Sequence, residues 1–301
     1  MSVLRTSDLS KRFGKVQVLD GLNLDVPEGS IYGLIGANGV GKTTTIKVLM
    51  NILKPTSGDA EVLGVDSRKL SPGDLARIGY VSENQEMPDW MSIEYLLWYL
   101  KPFYPTWDDN RATELVRQFN LPLDRPLKHL SRGMRMKAML TASLAYHPRL
   151  LVLDEPFSGL DAVVREDLSE SLVESAGETT IFISSHDLGD MESFASHIGY
   201  LEGHHLQFSE EMATLIARFR EVEILVEPPS TLTTSPEWPA NWLRPQSTPA
   251  VIRFIESRFD PDKTRNEIRR RFGEVLNISF NPMPLRAIFV ALARSTSGER
   301  A

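Results

Sequence analysis

Residues 36–44 read GANGVGKTT, preceded by the apolar run SIYGLI and followed by TIKVLMNIL. Ile46, Leu49 and Leu53 fall at helical spacing in the second flank, so the glycine-rich loop joins a buried strand to a helix. Gly36, Gly41, Lys42 and Thr43 fit the spacing G-x-x-x-x-G-K-[ST]. Each residue type has a physical task there. Glycines let backbone N–H groups turn inward around phosphate oxygens, and the helix beginning near Lys42 directs its N-terminal dipole at the same anion. The Lys42 ammonium reaches the β- and γ-phosphates, and the Thr43 hydroxyl binds Mg²⁺. The alternative is a glycine turn that only caps a helix. From average residue frequencies the pattern arises by chance in roughly one per cent of chains of this length, and its strand-then-helix setting lowers that further.

Two later segments repeat the pattern of an apolar run ending in polar groups. LLVLDEP at 150–156 delivers Asp154 and Glu155 to one edge of a sheet. Asp154 suits Mg²⁺ through its water shell, and Glu155 suits a general base that orients the attacking water. Alone, such a run reads as a solvated strand end; after a phosphate loop it carries weight. TTIFISSHD at 179–187 delivers His186, whose strand-end position favours a γ-phosphate contact over a purely structural role. Between them, SGLD places Asp161 as a helix N-cap; a catalytic-loop role is compatible with that, and both stay open.

The chain has 301 residues, enough for one large domain or two unequal ones. A net charge of −7 argues against wholesale binding to a nucleic-acid backbone, and the absence of cysteine excludes disulfides, zinc–thiolate sites and thiol nucleophiles. MSVLRTSDLSKRF has no apolar signal-peptide core, and no apolar run approaches the ~18 residues of a membrane span. Spanning helices, if the protein serves a membrane, belong to another chain.

Residues 1–35 read as strands, with further strands near 59–63, 78–82, 150–153, 179–183 and 198–208 and helical patterns between several of them, which implies an α/β sheet. Residues 86–146 read as a helical insertion, with helices over 92–103, 109–119 and 133–146 and a concentration of aromatics from Trp90 to Trp107. After residue 227, Pro228, Pro229, Pro236, Pro239, Pro245 and Pro249 punctuate a stretch expected to be linker or irregular loop. Around it EVEILV, AVIRFI and VLNISF read as strands. Residues 260–272 read as a helix capped by Asp260, and Leu285, Ile288, Phe289 and Leu292 as a final amphipathic helix. His204-His205 falls at a strand turn with no further metal ligand nearby. The expected division is 1–220 and 221–301.

GANGVGKTT, LSRGM, LLVLDEP, SGLD and SSHD occur in this order, and the set resembles the ATP-binding subunit of an ABC transporter over roughly residues 3–220. The resemblance implies a P-loop NTPase core of ABC type, in the α/β class, with an N-terminal antiparallel β subdomain, a helical subdomain insertion and a small α+β C-terminal domain. That last part is similar to the tail of bacterial export-type or antibiotic-resistance systems. The implied cofactors are ATP and Mg²⁺. Within the loop the implied ATP contacts include Asn38, Gly39 and Thr44 beside Gly36, Gly41, Lys42 and Thr43. Phe13 takes the place of the adenine-stacking aromatic; an edge-strand hydrophobe is the alternative.

The resemblance also implies a head-to-tail dimer, with itself or a paralogue, each ATP lying between one subunit's P-loop and the other's signature motif. LSRGM at 130–134 is that signature: Ser131 and Gly133 match the usual LSGGQ, while Arg132 and Met134 depart from it. Ser131 is expected to cap the following helix and Asp161 to join the composite site. The family's Q-loop glutamine aligns best with Glu83, whose carboxylate can accept Mg²⁺-bound water, with Gln85 two residues on. Tyr95, Trp98 and Tyr99 share a helix face that either packs the helical subdomain or borders the groove for a separate transmembrane permease. Contact with the membrane is then only through that permease, on the cytoplasmic face. Readings as a ribosome-acting or DNA-repair ABC ATPase fit less well, given one ATPase unit and no cysteine. A non-hydrolysing binding protein is opposed by Lys42, Asp154, Glu155 and His186.

Overall fold

The computed structural model of the chain describes residues 1–83, 85–227 and 238–296. They fall into two compact units, Met1–Ser209 and Glu210–Ala301.

In the first unit β1 (Ser2–Phe13), β2 (Val16–Leu22), β3 (Asp25–Pro27) and β4 (Ile31–Ile35) lead into α1 (Lys42–Leu49). Strands β5 (Ser57–Val62) and β6 (Val65–Asp66), the short helix α2 (Pro72–Leu75) and β7 (Ile78–Ser82) follow. Helices α3 (Ile93–Leu100), α4 (Asp109–Gln118) and α5 (Arg132–Leu144) come next. The unit is completed by β8 (Leu150–Asp154), α6 (Ala162–Ser175), β9 (Thr180–Ser185), the single turn α7 (Gly189–Glu192), β10 (His197–Glu202) and β11 (His205–Glu211), whose last residues lie past the division.

Two sheets result. In one, β1 pairs antiparallel with β2, β3 and β5. The other runs β11-β10-β4-β9-β8-β7, with successive neighbours from β10 to β7 parallel. Strands β4, β8 and β9 are buried at every position, as expected for strands covered on both faces. Their parallel direction brings the loop after β4, the acids at the end of β8, His186 after β9 and Glu83 after β7 to one edge, where α/β sheets bind ligands. The strand region expected over 198–208 is two strands, β10 and β11, which meet at the turn expected near His204-His205, where Gly203 and His204 are both at positive φ.

The helical insertion has the expected three helices, each begun by a side-chain cap: Ser92 on Tyr95 N, Asp108 on Asn110 N and Arg111 N, and Ser131 on Met134 N. Helix α5 is buried over most of its length, and the chain leaves it at His147, φ 49°, before Pro148.

The second unit contains α8 (Met212–Arg218), β12 (Arg220–Leu225), β13 (Trp242–Ser247), β14 (Val251–Glu256), α9 (Pro261–Phe272), β15 (Asn277–Pro282) and α10 (Leu285–Thr296). Its antiparallel sheet has the order β13-β14-β12-β15. The division lies before α8 rather than at 220/221, because α8 is fastened within this unit: Arg218 Nη1 donates to Ser257 O at 2.8 Å and Phe259 N to Arg218 O at 2.9 Å. Residues 228–237 of the proline-rich stretch, including Pro228, Pro229 and Pro236, lie outside the described residues. Beyond them the expectation of irregular loop is corrected by β13. Pro245 is tolerated because β13 is an edge strand whose register shifts between Leu243 and Gln246. Arg270 and Arg271 of α9 pair with Glu267 of the same helix.

Trp242 anchors this core. It is 3% exposed, stacks on Phe254 at 3.9 Å, and donates Nε1–H to the buried Glu256 at 2.9 Å. Trp242→Ala is expected to destabilise the second unit by about 3–5 kcal/mol, measured as a lowered urea midpoint by circular dichroism. An unchanged midpoint would remove Trp242 as the anchor.

Candidate active site

The loop between β4 and α1 is wedged into its surroundings before any ligand is considered. A Cβ on Gly36 would stand 2.4 Å from Leu201 O, and one on Gly41 2.6 Å from Leu19 Cδ2 and 2.7 Å from Val18 O. The antiparallel sheet thus touches the loop through β2. Gly39, at φ 79°, faces open space, and Gly41 precedes α1 without a side-chain cap. Leading N–H groups of a helix lack intrahelical acceptors, so this start suits phosphate oxygens.

Lys42 is 5% exposed. Its Nζ donates to Gly36 O at 2.7 Å and Ala37 O at 3.2 Å and pairs with Glu155 Oε1 at 3.0 Å. The other carboxylate oxygen of Glu155 accepts from His186 Nδ1 at 2.7 Å. Glu155 therefore bridges the loop lysine and the strand-end histidine. It adopts φ 54°, a left-handed conformation costly for a residue with a side chain, which turns the carboxylate toward the loop edge. Thr43 Oγ1 donates to Asp154 Oδ1 at 3.0 Å, so the hydroxyl and the carboxylate expected to serve one cation stand side by side. These are hard oxygen donors. Among the described residues no cluster of three or more His, Cys, Asp or Glu could hold a metal ion.

Ser184 is a member of the site that the sequence reading did not name. It is fully buried, donates Oγ–H to Asp154 Oδ1 at 2.7 Å, and its Oγ accepts Glu155 N–H at 3.1 Å. One hydroxyl thus orients both acids. The available signal was a serine closing an apolar strand beside the acidic one. The next residue, Ser185, donates to Asp190 Oδ2 at 2.9 Å, and Arg165 donates to Asp190 Oδ1 at 3.2 Å. Burial holds the Asp190 carboxyl above its ordinary range despite both partners.

The remaining expected residues form a second group. Ser131 caps α5 through Met134 N at 3.2 Å, and Asp161 caps α6 through Val164 N at 3.0 Å. A Cβ on Gly133 would stand 2.9 Å from Val164 Cγ1, so the two helix starts are in contact. Among the described residues none of these three hydrogen-bonds to Lys42, Glu155 or His186. Glu83 donates its N–H to Asp154 O at 3.1 Å, placing it at the site's edge, but its carboxylate pairs with Arg132. Phe13 is 46% exposed at the end of β1, with Lys11 Nζ 4.9 Å from its ring centroid.

A parallel sheet with a glycine loop, a buried lysine and two strand-end acids at one edge defines a P-loop nucleotide-binding protein. The family model described as "ABC transporter" matches residues 19–158. "ABC transporter ATP-binding protein YtrB" of Bacillus subtilis (strain 168) is 34% identical over 206 residues, covering 68% of this chain and 70% of that protein. "Daunorubicin/doxorubicin resistance ATP-binding protein DrrA" of Streptomyces peucetius is 28% identical over 312 residues, covering 99% of this chain and 94% of that one. A solved "ATP binding subunit of ABC transporter" superposes with a TM-score of 0.65 at 26% identity, over 72% of this chain and 92% of that chain. The chain belongs to the ATP-binding subunits of the ABC transporter family, which hydrolyse ATP to power transport.

Proposed function

We propose that the chain is the motor subunit of an exporter, working as a head-to-tail dimer around two Mg-ATP and driving a separate transmembrane permease. The observation that carries this reading is the bonded group Lys42–Glu155–His186, with Thr43 and Asp154 beside it, at the carboxyl edge of the parallel sheet. In this reading the loop N–H groups and the Lys42 ammonium hold the ATP phosphates, and Phe13 stacks on adenine. Thr43 and Asp154 would hold Mg²⁺, which would supply charge neutralisation at the transferred phosphoryl group. Glu155 takes the proton of the attacking water, and His186 orients Glu155 and contacts the γ-phosphate.

Ser131, Gly133 and Asp161 stand apart from that group, which supports their use by the ATP of a second subunit. The start of α5 then meets the partner's γ-phosphate.

A groove of about 300 Å³ near the helical insertion supports a permease contact. Its lining includes Met50, Gln85, Met87, Leu96, Leu100 and Met139, a mainly apolar surface suited to a short helix of a membrane chain. Tyr95, Trp98 and Tyr99 lie exposed on α3 and do not line this groove. Among the described residues no helix is long and apolar enough to cross a membrane. The permease would therefore hold the chain at the inner face of the cell membrane. The resistance function in the name of the Streptomyces relative supports export as the direction.

The test is to tag the Glu155→Gln variant, solubilise membranes of the native host with ATP present, and identify the co-purifying chains. A co-purifying multi-spanning protein is the expected result. Ribosomes, nucleic acid or no membrane chain would overturn the reading in favour of a soluble ATPase or a regulatory module.

A further inference from the structure

Glu83 and Arg132 lie 49 residues apart in sequence and form an ion pair between Glu83 Oε1 and Arg132 Nη2. Each end is anchored to a different part of the site. Glu83 follows β7 and donates its N–H to Asp154 O at 3.1 Å, so it is fixed to the strand that carries Asp154 and leads to Glu155. Arg132 is the first residue of α5, directly after the capping Ser131. Its guanidinium also lies against the backbone of Gly159, where a Cβ would stand 2.8 Å from Nη1. One side chain therefore spans the end of β7, the start of α5 and the loop between β8 and α6.

The side chains of Arg132 and Glu83 are 47% and 26% exposed. Ion pairs this accessible contribute little to global stability, so stability does not account for the arrangement. Its geometric consequence is larger. Gln85 and Met87, two and four positions past Glu83, line the apolar groove, and Met139 of α5 lines its other part. The pair thus connects the groove-lining segment to the helix start that presents Ser131.

We infer that Glu83 and Arg132 act as one positioning pair, fixing the start of α5 against the acid-bearing edge of the sheet so that closure of the composite site and the groove move together. This rests on the proposed dimeric reading, with Ser131 serving the partner's ATP. The two side chains are positioning residues; neither needs to touch the reacting atoms. A charge at either position without the other leaves an uncompensated ion beside the site, whereas removing or exchanging both restores balance.

The experiment is a double-mutant cycle on the full chain with Glu83→Gln, Arg132→Gln, the double variant, and the charge exchange Glu83→Arg with Arg132→Glu. ATPase kcat, KM and thermal midpoint are measured for each. Each single variant is expected to lose about tenfold in kcat, within the coupling range for contacting residues, with KM and the thermal midpoint little changed. The double variant is expected to be no worse than either single one, and the charge exchange to recover activity above both. Where basal turnover is too slow, the same cycle is read as the ATP-dependent dimer fraction in the Glu155→Gln background.

Multiplicative losses in the double variant, with no recovery on charge exchange, would overturn the inference. So would a drop in thermal midpoint that tracks the activity loss, since that marks a structural role only. A parent chain showing neither hydrolysis nor an ATP-dependent dimer would overturn the underlying dimeric reading, a result distinct from additivity.

Discussion

Glu155→Gln is expected to reduce ATP turnover by about 10²–10⁴-fold, the contribution of a positioned general base, while leaving ATP binding intact. The geometry favours this separation of effects. Glutamine keeps the length of the side chain and a carbonyl oxygen for Lys42 Nζ, now 3.0 Å from Glu155 Oε1, but it cannot take a proton from water at neutral pH. The loop glycines, Thr43 and Asp154 are unchanged, so the phosphate cradle persists. With hydrolysis stopped, the ATP-bound dimer should accumulate. Phosphate release, nucleotide-binding fluorescence and light scattering with and without ATP measure the three parts. Parent-like turnover would remove Glu155 from the role of base.

Lys42→Ala should act at the earlier step and lower ATP affinity by about 100-fold or more. Hydrogen bonds from a charged donor are worth about 1.5–3 kcal/mol each, and the loss of two reaches that factor. Lys42 is 5% exposed and already oriented by Gly36 O and Ala37 O, so the ammonium is positioned in advance. The substitution also leaves Glu155 without its cation at the loop edge. Isothermal titration with ATP separates this variant from Glu155→Gln, which binds but does not turn over. A loss of tenfold or less would shift the principal phosphate contact to the loop backbone. Together the two variants assign binding and chemistry to opposite ends of the Lys42–Glu155 contact.

What the sequence disclosed depended on how local each feature is. The strand–loop–helix around residues 36–44, the acids ending β8 and the histidine after β9 are contiguous patterns, and the parallel sheet brings them to one edge. The caps by Ser131, Asp161 and Asp260 were equally legible, since a cap acts within one turn. Other features arise only once distant segments meet. Ser184 became visible as the holder of Asp154 through the β8–β9 register, in which Asp154 faces it directly. The Glu83–Arg132 pair depends on α5 starting beside the end of β7, which neither motif specifies alone. Strand β13 was obscured by Pro245, a poor residue for an inner strand that an edge accommodates. The turn separating β10 from β11 was legible at His204-His205, being local; its left-handed His204 after Gly203 was not.

The three loop glycines differ in what surrounds them, and that changes how substitutions there should be interpreted. Gly36 faces the Leu201 carbonyl, and Gly41 faces Leu19 and the Val18 carbonyl, whereas Gly39 has free space around it. An alanine at either crowded position must displace backbone belonging to β10 or β2, so impaired nucleotide affinity in such a variant would report disrupted scaffolding and not a missing ligand contact. At Gly39 the penalty is confined to the backbone angle. A residue that tolerates the left-handed region, such as asparagine, is the informative probe there, because it alters the lip of the cradle without disturbing either neighbouring strand.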